Sequence, residues 1–392
     1  LNVTSVGEAD QSVAAKRELS PAVGDDSARL SDAVREAVSA GTPLAVTGAG
    51  TRACLGHEVA GHPLSTLAHT GVITHEPTEL VVTARAGTPV SSLVETLAAE
   101  RQMMPFEPPD GGGTLGGVMA CGLSGPRRPY VGAARDFVLG TRIINGQGQV
   151  LGFGGEVMKN VAGYDVSRLQ IGAFGTLGLL LDISMKVLPM PEVELTLHHE
   201  LDSPDTADTL VAMARQPIPL SGSMVQGRDR FIRLSGSAVA VEKTAASLGG
   251  SRVAESDAPW QDLRERRLPF FDDPRPLWRL AVPDHAPPLT IEGGWLLDWG
   301  GAQRWLKTDA AAAVVFAAAK AVGGHATRYR SVVPANSGES DGVLETLHGT
   351  PLFQPLEGPM LYLQSRLRDS FDPHRIFNRG RFHPELDNAK DA

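Results

Sequence analysis

Apolar residues recur with helical spacing at Leu30, Ala33, Val34, Ala37 and Val38, and Gly41 suits the stop, which predicts a helix over 27–40. The pattern then changes. Pro43-Leu44-Ala45-Val46 reads as a short apolar strand, and residues 71–86 read as two paired strands. Helical spacing returns at Val90, Leu93, Val94 and Leu97, behind Thr88 and with Pro89 in the first turn. Val118–Cys121 predicts a short helical turn. Strands over 137–145 and 149–153 flank a Gly146-Gln147-Gly148 hairpin turn, and 177–187 is a strand again, closed by Pro189 and Pro191.

The second half has a different rhythm. Val193–Glu200 alternates as a strand. Helices over 204–216 and 238–249 flank strands over 221–226 and 230–235, and this β-α-β-β-α order predicts a ferredoxin-like antiparallel sheet. Further strands are expected over 277–282 and 293–299. An Ala-rich helix is expected over 309–322, started by Asp309 and stopped by Gly323, and a last helix over 357–370. Residues 1–24 are polar and aperiodic, a frayed tail.

Glycine accounts for 43 of 392 residues, about 11% against about 7% on average, and the excess sits mostly in the first half. Gly111–Gly117, Gly122–Gly125 and Gly172–Gly178 fall within one stretch, 107–178, interleaved with Ser and Thr. Closely spaced glycines let a backbone approach a ligand and aim successive N–H groups at it, and phosphate is the usual guest. The apolar strand before Thr47-Gly48-Ala49-Gly50-Thr51-Arg52 gives a second such loop, with Arg52 at hand for charge. A nicotinamide-type fingerprint, Gly48-x-Gly50-x-x-Ala53, fails because Gly56 and Gly61 interrupt the helix it needs and position 70 is Thr, not an acid.

The net charge of −9 argues against general nucleic-acid binding. No apolar run reaches a membrane span, and Leu1–Ser20 has no apolar segment of the kind a signal peptide carries. Two cysteines, Cys54 and Cys121, cannot hold a four-thiolate iron–sulfur cluster, and a reducing, cytoplasmic setting is expected.

Thr47–Arg52, Gly113–Gly117, Gly163-Tyr164-Asp165 and Gly172-x-x-Gly175-Thr176-Leu177-Gly178 together resemble the FAD domain of the vanillyl-alcohol-oxidase or PCMH type. Phe153-Gly154-Gly155 with Lys159-Asn160-Val161-Ala162-Gly163-Tyr164-Asp165, and the ending Asp372-Pro373-x-x-Ile376-Phe377-Asn378-x-Gly380-Arg381, are similar to the smaller FAD-binding subunits of bacterial glycolate oxidases. The resemblance is strong over 25–190 and weaker over 193–382. It implies an α+β protein: a PCMH-type two-subdomain FAD-binding fold over 25–192, then a ferredoxin-like antiparallel cap over 193–392 whose C-terminal helix returns to the flavin. It also implies non-covalent FAD. The implied contacts come from Thr47, Gly48, Ala49, Gly50, Thr51 and Arg52, then from Gly113, Thr114, Leu115, Gly116 and Gly117. Others come from Cys121, Gly122, Ser124, Gly125 and Asp136, from Ile171 and Gly172, and from Asn378 and Arg381. Two motifs depart from the larger relatives: Gly122-Leu123-Ser124-Gly125 replaces Asn-Ala-Gly-Gly, and Asn378-Arg379-Gly380 replaces Asn-Pro-Gly.

Oxidising a 2-hydroxy acid needs a base for the hydroxyl proton and a cation for the carboxylate. The cap histidines His198, His199, His285, His325, His348, His374 and His383 show no metal- or base-like spacing, so no catalytic residue and no metal is assigned. This favours a flavin-binding subunit working beside a larger FAD-binding catalytic subunit and an iron–sulfur subunit, peripheral to the inner membrane at most through those partners. A free-standing FAD-dependent dehydrogenase and a non-catalytic assembly subunit are the alternatives. The resemblance, and not the residues by themselves, implies a small 2-hydroxy acid, glycolate, as substrate.

Overall fold

The computed structural model describes residues 24–155, 165–202, 207–330, 332–333, 343–344 and 350–388. The sequence motif Lys159–Tyr164, His348 and the predicted tail up to residue 23 lie outside these.

The helix Ser27–Ala40 buries Leu30, Val34 and Ala37 and ends on Gly41, whose φ of 64° is the left-handed turn that glycine favours. These side chains pack against Leu44, Leu64, Leu179, Leu181, Ile376 and Phe377. The strand Leu44–Thr47 pairs in parallel with His62–Ser65, a strand the sequence does not announce. Pro63 lies in it and cannot donate to a ladder, which restricts the segment to an edge.

Five antiparallel strands form the main sheet of this half, in the order Val72–Glu76, Val81–Arg85, Leu179–Lys186, Val138–Ile144, Val150–Gly154. Leu179–Lys186 is central and buried along seven of its eight residues. Its one carboxylate, Asp182, accepts from Arg142 and lies 3.0 Å from Nε2 of the buried His69. The helix Val90–Ala98 packs Leu93 and Leu97 beneath the sheet. Pro89 is the residue before this helix rather than part of its first turn, and the Thr88 hydroxyl instead binds Gly71.

The second half is one eight-stranded antiparallel sheet made of two similar units. The first runs Val193–Glu200, helix Ala207–Ala214, Leu220–Gln226, Asp229–Gly236, helix Ala238–Leu248, Ser251–Arg252. Its strands lie in the order fourth, first, third, second, which is the ferredoxin-like arrangement. The second unit runs Leu277–Ala281, Gly294–Asp298, Gln303–Lys307, helix Ala312–Ala321, His325–Arg328 and repeats that order with a loop in place of the first helix. The units join through their second strands, Val225 opposite Leu297 and Gln226 opposite Leu296.

Gln303–Lys307 escapes sequence reading because all five side chains are buried, polar ones included. Arg304 donates to the carbonyls of Pro287 and Gly301, and Lys307 to that of Asp273. The Ala-rich helix begins at Ala312, not Asp309, because the Thr308 hydroxyl accepts from Ala310 N and holds a turn first.

One hydrophobic core runs from the first sheet into the cap: Phe106, Val118 and Ile183 share it with Trp260, Leu263, Trp305 and Tyr329. The helix Gly358–Phe371 buries Ser365 and Arg368. Arg368 donates to Phe377 O and pairs with Asp387 at 3.0 Å. Asp372 accepts from the N–H groups of Ile376 and Phe377, and Phe377 bridges in parallel to Leu44. The chain end thus returns to its first strand.

Candidate functional site

Strand Leu44–Thr47 delivers the Gly48–Arg52 loop to a cavity of about 400 Å³. Thr47, Gly48, Ala49, Gly50, Thr51 and Arg52 line it, with Thr114, Gly117, Cys121, Asn378 and Arg381. Among the described residues, no protein acceptor takes the N–H groups of Gly48, Ala49, Gly50, Thr51 or Arg52. The loop is half-buried to exposed and lines the cavity, so its five successive N–H groups are left free to meet a ligand. They suit an anionic ligand such as a pyrophosphate. Gly48 is also held tightly from behind: a Cβ there would lie 2.4 Å from the Thr114 hydroxyl.

The loop is fixed by residues far away in sequence. Asn378 Oδ1 accepts from Val46 N at 2.8 Å while its Nδ2 donates to Phe174 O at 2.9 Å. Arg381 Nη2 donates to Arg52 O at 2.9 Å, and its carbonyl accepts from His57 N. Arg52 Nη2 donates to the carbonyls of Pro109 and Asp110 and so braces the Asp110–Gly113 loop, while its Nε is buried without a partner among the described residues. The cap reaches the same loop through Glu265, which accepts from Asp110 N at 2.8 Å.

Thr114 caps the helix Leu115–Cys121, its hydroxyl accepting from Gly117 N. The first two N–H groups of this helix are taken by the protein. Leu115 N donates to Thr88 O and Gly116 N to Ala86 O. Those two residues fasten the helix to the Ala86–Thr88 segment, and Leu115 is in the core. Gly117 and Cys121 line the cavity instead, and a Cβ on Gly117 would meet only the Thr114 hydroxyl, at 3.4 Å. Burial pushes the Cys121 thiol up to about 11, so it lines the cavity as a neutral group.

The remaining expected residues lie outside this lining. Gly113 packs against Asp110 O and Arg52. Gly122 ends the Leu115–Cys121 helix in the left-handed region beside Gly172, whose N–H donates to Met119 O. Ile171 packs on the core. Asp136 accepts from Ala133 N, closing a local turn. Ser124 accepts from Ala134 N and, with Gly125, borders a smaller neighbouring cavity. Sequence reasoning missed Ala45, Val46, Ala53, Glu58, Val59, Ala120, Phe174 and Arg330. Ala120 was findable as the helical neighbour of Gly117; Arg330 carries no local signal.

A chamber of about 560 Å³ adjoins on the cap side, sharing Gly50, Thr51, Ala53 and Arg330 with the first cavity. The pair offers an elongated ligand a donor-rich cradle on one side and a cap wall on the other. Among the described residues, no cluster of His, Cys, Asp and Glu is arranged to hold a metal, and no helix is long and apolar enough to cross a membrane.

Comparison with known proteins agrees with this geometry. Residues 23–154 match the FAD binding domain family. The fold resembles that of alkyldihydroxyacetonephosphate synthase, with a TM-score of 0.61 at 14% identity over 91% of this chain and 75% of the other. A short region, 27% of this chain and 24% of the relative, is 35% identical to glycolate oxidase subunit GlcD of Bacillus subtilis strain 168. A similar share, 32% and 26%, is 27% identical to D-lactate dehydrogenase of Anaerostipes hadrus. Glycolate oxidase subunit GlcE of Escherichia coli strain K12 is 44% identical over 92% of this chain and 99% of its own length. With that near end-to-end correspondence and an FAD binding domain carrying the cradle, the chain belongs to the GlcE family of FAD-binding glycolate oxidase subunits.

Proposed function

We propose that this chain is the smaller FAD-binding subunit of a multi-subunit glycolate oxidase, which converts glycolate or a related 2-hydroxy acid to the 2-oxo acid and passes the electrons to a partner. The observation that carries the reading is the match across 99% of a relative that is itself a glycolate oxidase subunit. The partners are a larger FAD-binding catalytic subunit, of the kind GlcD represents, and an iron–sulfur subunit. The full chain holds two cysteines, too few for a four-thiolate cluster of its own.

Bound FAD supplies the two-electron chemistry. The chain's own residues hold and orient it. The N–H groups of Gly48–Arg52 would hold the pyrophosphate charge, with the guanidinium of Arg381 on the same lining. Burial lowers the pKa of Arg381, as it does that of Arg52. Asn378 keeps the cradle strand and the Phe174 turn at a fixed separation.

The test is reconstitution. Purified alone, the FAD-loaded chain should reduce an artificial dye with glycolate slowly, and co-expression with the larger flavin subunit and the iron–sulfur subunit should raise the rate sharply. A positioned base that is missing costs on the order of 10²–10⁴ in rate. Turnover by the chain alone at the rate of the complex defeats the subunit reading.

A further inference from the structure

The cap-side chamber has three cations on its wall: Arg266, Lys307 and Arg330. Two are occupied by the protein. Lys307 Nζ donates to the carbonyls of Asp273 and Arg275, and Arg330 Nη2 to that of Ala53. Arg266 is different. Its Nη1 and Nη2 lie 3.8 and 3.7 Å from the Cys54 sulfur, and its guanidinium sits 4.9 Å from the centre of the Tyr329 ring. Among the described residues, no carboxylate or carbonyl oxygen accepts from that guanidinium. A thiol is a weak acceptor and a ring face only a partial one, so a largely enclosed fork of donors is left with capacity for an oxyanion.

The backbone is shaped to put it there. Arg266 follows the helix Ala258–Glu265 with φ 58°, a left-handed conformation that a non-glycine residue adopts at a cost. Its N–H donates back to Leu263 O, and this turn carries the side chain inward. Of the acids on the same wall, Asp273 is held by Arg275 at 2.5 Å and titrates at about 2, while Asp272 adds a like charge that an anion must pass. The chamber also shares Gly50, Thr51 and Ala53 with the cofactor cavity, so a ligand on Arg266 lies beside that cavity.

We propose that Arg266 is the carboxylate-holding residue of a site for short 2-hydroxy or 2-oxo acids in this chamber, a proposal that rests on the glycolate oxidase reading above. A planar guanidinium matches a carboxylate through two parallel N–H···O bonds, which Lys307, already held by carbonyls, does not provide. The subunit thus keeps a place for the acid even where it turns it over slowly.

Calorimetric titration of the FAD-loaded full chain tests this with glycolate and with glycolamide, its uncharged isostere. Glycolate should bind, and glycolamide should bind more weakly by on the order of 10-fold or more. Arg266→Gln should weaken glycolate by about 10- to 100-fold while flavin content and glycolamide affinity stay unchanged. Arg266→Lys should recover part of the affinity, and Lys307→Met should alter it much less. Equal affinity for the two probes, no binding of glycolate at all, or wild-type glycolate affinity in a flavin-loaded Arg266→Gln variant each overturns the site. If that variant does not fold, the probe comparison and Arg266→Lys decide. These readouts are affinities, whereas the subunit reading is judged by rates upon adding partners, so either can fail without the other.

Discussion

Arg233 Nη2 donates to Glu107 Oε2 at 2.8 Å across the junction of the two sheets, linking residues 126 positions apart. Arg127 completes the group, its N–H and its side chain both on the same carboxylate. Arg233 is further held by Ser221 and lies over the Trp260 ring. Removing the carboxylate leaves two buried guanidinium groups without it. Glu107→Ala should therefore lower stability by about 3–5 kcal/mol, read by chemical denaturation. Burial raises the Glu107 pKa, but Arg233 and Arg127 overcome this and hold it below the ordinary glutamate value of 4.5. A depressed acid contributes fully above its unfolded value and loses that contribution as pH falls through its folded one. The gap between wild type and Glu107→Ala should accordingly be full at about pH 6 and shrink as the pH falls below the ordinary glutamate range.

Asp298 has the opposite sign. Its carboxyl is buried, accepting from Trp299 N and Gln303 Nε2, and burial pushes it up to about 7. An acid raised in this way binds its proton more tightly when folded, so stability should decline as pH rises from about 4 to about 7 and then level off. Asp298→Asn should remove that part of the slope. Melting temperatures of the two proteins across this range, diverging upward with pH in favour of the variant, provide the measurement.

Asn378→Ala takes away the acceptor of Val46 N and the donor to Phe174 O at once, and places alanine at φ 41°. The cost is about 1–3 kcal/mol for the unpaired groups, with FAD affinity falling as well because the cradle loses its anchor. Asn378→Asp keeps the first bond and should retain more flavin. Fluorescence titration of FAD into the apoproteins distinguishes the three.

Adjacent glycines in one helix should respond differently. A Cβ on Gly116 would lie 2.7 Å from Ala86 Cβ and 2.9 Å from Ala86 O, so Gly116→Ala should destabilise the fold by about 1–3 kcal/mol. At Gly117 a Cβ meets nothing nearer than the Thr114 hydroxyl at 3.4 Å and projects into the cavity. Gly117→Val should keep its circular dichroism and lose its flavin absorbance. Full flavin occupancy in that variant removes Gly117 from the cofactor site.

FAD should be held without a covalent bond. The cradle loop contains no histidine, and His57, the nearest in sequence, donates its N–H to Arg381 O outside the cavity lining. Acid precipitation should leave yellow FAD in the supernatant; colour in the pellet decides for a covalent link.

Local chemistry was legible in the sequence. Thr47–Arg52 and Thr114–Gly117 announce a close backbone approach because glycine spacing and hydroxyls are properties of neighbouring residues. The β-α-β-β-α rhythm after Val193 announces its sheet for the same reason, since side-chain periodicity is set within each element. Gln303–Lys307 did not announce itself, because its buried polar side chains are matched by carbonyls from other segments. Tertiary structure alone decided which glycine faces ligand and which faces protein: Gly116 and Gly117 read identically until Ala86 is placed beside one of them. It also decided that the N–H of Gly116 is consumed while those of Gly48–Arg52 remain free among the described residues, that Asn378 reaches back 332 positions to Val46, and that Arg266 faces sulfur and a ring in place of oxygen. The physical reason is common to all of these. A residue's own chemistry fixes what it can donate or accept, but which acceptor it meets, and where space is left for a ligand, depends on segments that only the folded chain brings together.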